Sequence, residues 1–339
     1  MDQVTYVTSF GQFGRDSYAH VADRKGFFAE QGIKLSIQKG TGTDGVKHVA
    51  TRRADFAAVD FAGGTIQVAK NDLDVRAVAL IHKQTLAAIM AKESDHIITP
   101  KDLEGKVIAD FPASVVKMLF RAYATLAKID YTKVRWRDTD PQTLLAALNV
   151  PEVDAISQFV VGKATVEAVT KTSVSMIPYS TYLSDLPGNA LWVNGGLLRS
   201  NPDLVRRFRT ALLKGLAWAV QHPDEAGQIL REYDRTANQV LAATEVRLMA
   251  PYVGWQPGDD PDQLDPTRLA DLGRIDSSRI ARAIAILQGA GAIDAGLTPD
   301  RLTVWDLPEG PGAVFRPTGQ TTDATSEPFS GGWTSGAAW

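Results

Sequence analysis

Gln3-Val-Thr-Tyr-Val-Thr-Ser-Phe10, the apolar positions at helical spacing from Ser17 to Phe28, Gly32, and the alternating run Ile33 to Gln38 spell out a strand, a helix and a second strand. β-Branched and aromatic residues favour the extended chain in the first run, and the change of apolar period marks the helix. The same order repeats downstream. Gly40-Thr-Gly-Thr-Asp-Gly45 leads into a helix candidate from Val46 to Arg53, then into the apolar strand Asp55-Phe-Ala-Ala-Val-Asp60, bounded by Gly63 and Gly64. Strands alternating with helices predict an α/β fold with a mainly parallel sheet.

The pattern restarts after Glu93-Ser-Asp95. Pro100 to Gly105 reads as a turn, Lys106 to Asp110 as a strand, Ser114 to Lys128 as a helix and Val134 to Trp136 as a strand. Pro141 to Leu148 reads as a helix and Asp154 to Ser157 as a strand, which together make a second, smaller α/β lobe. The chain then runs extended through Val174-Ser-Met-Ile-Pro178 and Leu191-Trp-Val-Asn194 before turning helical. Asn201-Pro202 starts a helix, because Asn caps free amides and Pro is tolerated at the first helical position. Leu204, Phe208, Leu212 and Leu216 follow as its core stripe. Further helices are predicted from Asp224 to Tyr233 and Ser278 to Leu287. The stretch from Gly310 is rich in Gly, Pro, Ser and Thr and reads as a loop or tail. The expected division is residues 1–92 plus 190–309 for lobe 1, 93–189 for lobe 2 and 310–339 for the tail, with crossovers near Met90 and Leu191.

Composition agrees with two cores: 339 residues, 44% hydrophobic and 22% charged. Lys+Arg (36) nearly balance Asp+Glu (39), so the surface suits neither nucleic acid nor an acidic membrane. The absence of cysteine excludes disulfides, thiolate nucleophiles and cysteine metal sites. His20, His48, His82, His96 and His222 form no H-x-x-x-H pair, so no metal is expected. There is no G-x-S-x-G elbow and no phosphate-binding G-x-x-x-x-G-K-[ST] loop. No apolar run approaches the roughly 20 residues that span a bilayer. No signal peptide is contained in this chain, which leaves open a cytosolic protein or a mature start at Met1.

Four features allow more than one reading. Gly40-Thr-Gly42-Thr-Asp-Gly45 fits G-x-G-x-x-G with Asp60 ending the next strand, the pattern of a dinucleotide site. It opens the second βα unit rather than the first, and a glycine-rich turn that lets a ligand or the other lobe approach backbone is the commoner explanation. Ser114 either donates to a ligand or caps its own helix. Phe10, Phe13, Phe61, Phe159, Tyr179 and Trp192 sit at strand ends or crossovers, where several rings could stack on a flat ligand, although each alone fits a core role. Asp60 offers an acceptor for ligand N–H groups, or caps the Gly63-Gly64 turn.

The chain resembles the NMT1/THI5-like, sulfonate/nitrate/taurine-type substrate-binding proteins of ABC transporters. The matching stretches are Ala22-Asp-Arg-Lys-Gly26-Phe-Phe-Ala-Glu-Gln-Gly32-Ile, Arg53-Ala-Asp55-Phe, Pro100-Lys-Asp102-Leu-Glu-Gly105-Lys-Val-Ile, Val153-Asp154-Ala155, and Asn201-Pro202 through Phe208. The resemblance implies a type II periplasmic-binding-protein fold whose lobes close about a two-stranded hinge. Ligand would sit where strands end and helices begin. In lobe 1 those corners contain Phe10, Phe13, Tyr18, Gly40, Thr41, Gly42, Asp60 and Phe61. In lobe 2 they contain Phe111, Ser114, Val115, Gln158 and Phe159, with Tyr179 and Trp192 at the crossover. The function implied is an extracytoplasmic receptor, without cofactor or catalysis and acting as a monomer. It would capture a small aromatic or heteroaromatic ligand, pyrimidine-like or an aromatic carboxylate or sulfonate, and deliver it to an ABC permease with its cytosolic ATPase. The rival from another class is a cytosolic enzyme of the same fold acting on a heteroaromatic substrate. Fungal pyrimidine synthases of this fold carry a cysteine-rich segment, and this chain has no counterpart.

Overall fold

The computed structural model describes residues 1–11, 13–112, 114–254 and 266–308. The expected tail from Gly310 lies outside the described residues.

The first sheet contains β1 (Asp2–Val7), β2 (Ile33–Gln38), β3 (Phe56–Asp60), β4 (Val75–Leu80) and, much later in the chain, a strand at Asn189–Asn194, in the order β2-β1-β3-(Asn189–Asn194)-β4. The second is built from β5 (Ala87–Lys92), β6 (Val107–Asp110), β7 (Arg135–Asp138), β8 (Ala155–Phe159) and β9 (Val174–Pro178), in the order β9-β5-β8-β6-β7. The Asn189–Asn194 strand is β10. Sequence patterns follow position in the sheet. β2 lies at an edge and alternates buried with exposed positions, whereas β3 and β10 are central and buried at every residue, so they read as continuous apolar runs.

In each sheet one strand runs against the others: β10 is antiparallel to β3 and β4, and β5 is antiparallel to β8 and β9. These are the strands that follow each crossing between lobes. The chain leaves the first sheet through residues 81–86 and returns through 179–188. β5, expected in lobe 1, is therefore hydrogen-bonded into the second sheet, and Met90 and Leu191 lie within β5 and β10 beyond the crossings. The stretch from Val75 to Lys92 has no glycine or proline, and the polar run His82-Lys-Gln-Thr85 between two apolar strands is the local mark of where the sheet changes.

The two crossings are paired. Ile81 N–H donates to Asn189 O (2.7 Å), Gly188 N–H to His82 O (3.1 Å) and Thr85 N–H to Leu186 O (2.8 Å). Helix Ser277–Gly289 braces them from outside: Arg279 donates to the carbonyls of Lys83 and Ser184, one on each crossing, and Arg282 pairs with Asp185 at 2.8 Å.

Two predicted helices start where the capping chemistry places them, at Ser114 and at Asn201. Asn201 accepts from Leu204 N–H at 3.1 Å and Pro202 opens Pro202–Gln221, whose Phe208 stacks on Phe56 with ring centroids 3.9 Å apart. The helix expected from Ser17 to Phe28 breaks after α1 (Ser17–Arg24), since Gly26 adopts φ 83° before the short helix Phe27–Glu30. The Val46 to Arg53 helix is realised as Asp44–Ala50, and within Pro141 to Leu148 only Leu144–Ala147 is helical. Several helices carried no predicted counterpart, among them α2 (Phe61–Asn71), α3 (Lys163–Thr170) and α4 (Gln239–Val253). In α2 the glycines that suggested a turn serve close packing. A Cβ at Gly63 would lie 2.5 Å from Thr43 Cγ2, and one at Gly64 2.4 Å from the Trp192 ring.

Candidate functional site

Between the lobes lie two adjoining cavities of about 180 and 130 Å³ that share Phe10, Arg15, Phe111, Ser114 and Phe159 in their walls. These five shared residues stand beside the end of a strand or the start of a helix. Phe10 belongs to a small antiparallel ribbon, Phe10–Gly11 with Gly40–Thr41, and its ring stacks on Phe13 with centroids 6.3 Å apart and planes at 10°. Arg15 lies in the turn Gly14–Asp16 before α1, its guanidinium 5.1 Å from the Phe13 ring centroid and 5.2 Å from that of Phe159. The first ring comes from lobe 1 and the second from lobe 2, so this cation joins the aromatic walls across the cleft.

Asp60 ends β3 and caps α2, accepting from Gly63 N–H at 3.0 Å while lining the larger cavity. Opposite it, Ser114 caps helix Val115–Leu126 by accepting from Val116 N–H at 3.2 Å, and it lines both cavities. Gln158 folds back to accept from Phe159 N–H at 2.8 Å. A second interlobe contact closes one end of the cleft. Thr165 on α3 donates to Glu245 on α4 at 2.9 Å, and Glu245 also accepts from Arg15 N–H at 3.4 Å.

The electrostatics are lopsided. Burial pushes the Asp60 carboxyl up to about 7, against hydrogen bonds from Gly63 and Ala62. Burial also pushes Asp110 up to about 6, although the hydroxyls of Ser157 and Ser114 favour its anion. Asp16 and Glu245 are raised by burial too, and in both Arg15 opposes the rise. His82, in the first crossing, is lowered to about 3 by burial and by Arg15, so it is neutral, accepting from Asn189 N–H at 3.3 Å. Among the described residues no group of His, Cys, Asp and Glu could hold a metal ion.

The structure brings Phe10, Phe13, Thr41, Gly42, Asp60, Phe111, Ser114, Val115, Gln158 and Phe159 together on the cleft. It does not bring Tyr18, Gly40, Phe61, Tyr179 or Trp192 there. Tyr18 is fully buried against Tyr6, their hydroxyls 3.0 Å apart. Phe61 and Trp192 pack on each other within the core, Trp192 donating to Val59 O at 3.1 Å. Tyr179 stacks on Tyr123 at 4.2 Å and donates to Val116 O. Gly40 lies on backbone: a Cβ there would meet Thr8 O at 1.8 Å. The third glycine of the G-x-G-x-x-G stretch, Gly45, likewise packs against Val59 of β3.

Sequence reasoning passed over Arg15, Glu245, Thr165, Leu86 and Asn189, all of which line the cavities. Glu245 carried a signal: it falls on the stripe of α4 that includes Ala242, Val246, Met249 and Val253, where an acid interrupts a buried face. Arg15 carried a weaker one, a charge placed between Phe13 and an amphipathic helix.

Two α/β lobes joined by paired crossings, with a ligand-sized cleft walled from both sides, define the two-lobed periplasmic-binding-protein architecture. The chain belongs to the NMT1/THI5-like family, which it matches over residues 18–226. It is 26% identical over 67% of its length to the riboflavin-binding protein RibY of Chloroflexus aurantiacus, and the match spans 65% of that relative, just under two thirds. It is 24% identical to the formylaminopyrimidine-binding protein of Halalkalibacterium halodurans, over 66% of this chain and 68% of that one. Its backbone superimposes on the periplasmic aliphatic sulphonate binding protein SsuA of Escherichia coli with a TM-score of 0.69 at 15% identity, covering 95% and 98% of the two chains.

Proposed function

We propose that this protein is the extracytoplasmic substrate-binding component of an ABC importer. It captures a small, flat aromatic or heteroaromatic ligand by closing its lobes, and then docks on a membrane permease powered by a cytosolic ATPase. The observation that carries this reading is the composition of the cleft. Phe10 and Phe13 face it from one lobe, Phe111 and Phe159 from the other, with Arg15 between them. Rings offered from two bodies around one cavity suit a planar ligand, whose faces are covered only when both walls are in place. Such a ligand favours the closed form through contacts available only there. The relatives named for riboflavin and formylaminopyrimidine support a nitrogen heterocycle. No chemistry is performed on the ligand.

A thermal-shift and calorimetric screen of flavins, pyrimidines, aromatic carboxylates and aromatic sulfonates tests the reading, together with solution scattering. A ligand present at 100 times its Kd adds about 2.7 kcal/mol of stability, and the radius of gyration falls as the lobes close. A melt shifted only by inorganic anions, or tight binding without compaction, contradicts it.

A further inference from the structure

The carboxyl groups at the cleft point to the character of the ligand. Arg15 is the one buried cation among the described residues of its walls, and its charge is already matched. Its Nε lies 3.5 Å from Asp16 Oδ2, and its charge also favours the anion of Glu245, which accepts from the Arg15 backbone N–H, with Asp16 0% and Glu245 3% exposed. Lys47, which also lines the larger cavity, is exposed and paired with Asp44 at 3.2 Å. Asp60 differs from these. It is 8% exposed and lines the same cavity, and among the described residues no cation lies within salt-bridge distance of it. The backbone N–H groups of Gly63, at 3.0 Å from Oδ1, and of Ala62 favour its anion, whereas a carboxylate has two oxygens and about four acceptor sites. A buried anion with spare acceptor capacity and no counter-charge is costly unless a donor arrives.

We propose that Asp60 is the specificity-determining residue of the cleft, receiving an amino, ring N–H or cationic nitrogen group of a flat heterocycle. This rests on the reading of the cleft as a ligand site and narrows it to nitrogen heterocycles bearing hydrogen-bond donors. Aromatic sulfonates and carboxylates are rejected. An anion placed between these rings would face the buried carboxyl groups of Asp60 and Glu245 on the cavity walls, with Asp16 against Arg15 and Asp110 against Ser114 close by, and among the described residues of the walls Arg15 is the one buried cation to offset them.

The test is isothermal titration calorimetry of the full chain at pH 8 with 2,4-diaminopyrimidine and riboflavin on one side and benzenesulfonate and benzoate on the other, for the parent and Asp60→Asn. Asparagine retains an oxygen for the α2 cap, so the helix start is preserved. Asp60→Ser, which also caps, serves if the first variant does not fold. The expected result is that the parent binds a donor-bearing heterocycle in preference to both anions. The variant should weaken that binding on the order of 10- to 100-fold, the scale of a hydrogen bond to a charged group, and should not weaken the anions. If the parent prefers benzenesulfonate or benzoate, the assignment of Asp60 falls while the cleft stands as an aromatic site. Unchanged diaminopyrimidine or riboflavin binding in a folded variant also refutes it. If none of the four binds, the assignment and the reading of the cleft fall together.

Discussion

Replacing Asp60 by Asn tests the strain that a ligand-free cleft imposes on the fold. The carboxyl is held up at about 7 against an ordinary value of 3.8 because burial disfavours its anion. The folded protein therefore keeps a proton that the unfolded chain releases between those values. Stability must fall as pH rises from about 4 to 7 and level off above, since the folded state binds more protons throughout that window. At 1.36 kcal/mol per pH unit, the cost at pH 8 is on the order of 4 kcal/mol, of which about 3 kcal/mol accrues above pH 5. An asparagine side chain in its place carries no charge to desolvate and retains an oxygen to accept from Gly63 N–H. The variant should thus gain on the parent by about 3 kcal/mol between pH 5 and 8. Urea unfolding of both proteins at several pH values measures it. The difference between the two curves is the quantity to read, because Asp110, Glu245 and Asp16 are raised as well and bend both curves alike. Parallel curves would show that Asp60 ionises freely in the folded protein, and that its burial carries no such cost. An increase confined to the ligand-free protein is also the stability–function trade that a buried binding carboxylate produces.

Other perturbations separate hinge, core and cleft. His82→Asn should flatten the acid limb of stability: the folded imidazole is held near 3, so the unfolded chain takes up a proton that the fold refuses as pH drops from 6.5 towards 3, and stability falls there. Equal slopes for parent and variant in urea titrations would argue against a neutral His82. Trp192→Ala should cost about 3–5 kcal/mol of stability and leave the affinity of the folded protein for its ligand unchanged. A loss of affinity without a loss of stability would return Trp192 to the cleft. Thr165→Val removes the donor to Glu245 across the lobes and should speed ligand release by several-fold, the effect of about 1 kcal/mol. Stopped-flow dissociation rates decide this, and an effect on association alone would contradict a bridge formed on closure.

What the sequence disclosed and withheld follows from where the information sits. Edge strands and amphipathic helices announce themselves locally, because one face meets water. β2 and the Pro202–Gln221 helix are legible for that reason. The Gly63-Gly64 pair reads as a turn because the need for glycine arises from Thr43 and from Trp192 across the sheet, neither of which any local window reports. The corners of the cleft are legible as a class, since strand ends and helix starts must lie on the rim of an α/β sheet. Which aromatic ring points into the cleft is not. β10 is covered on both faces, so Trp192 shows no alternation to reveal its direction, and Phe61 one residue past Asp60 already belongs to the first turn of α2. Charge carries information that ring size lacks. Arg15 and Glu245 have polar ends that burial penalises, so their presence on otherwise apolar faces requires a partner or a function. Glu245 finds both, holding Thr165 from the other lobe and the backbone of Arg15 at once. A buried acid on a helix stripe is therefore a better guide to this cleft than any of the tryptophans or tyrosines, and Asp60, an acid on the cavity wall with no cation paired to it among the described residues, is where the ligand should be sought first.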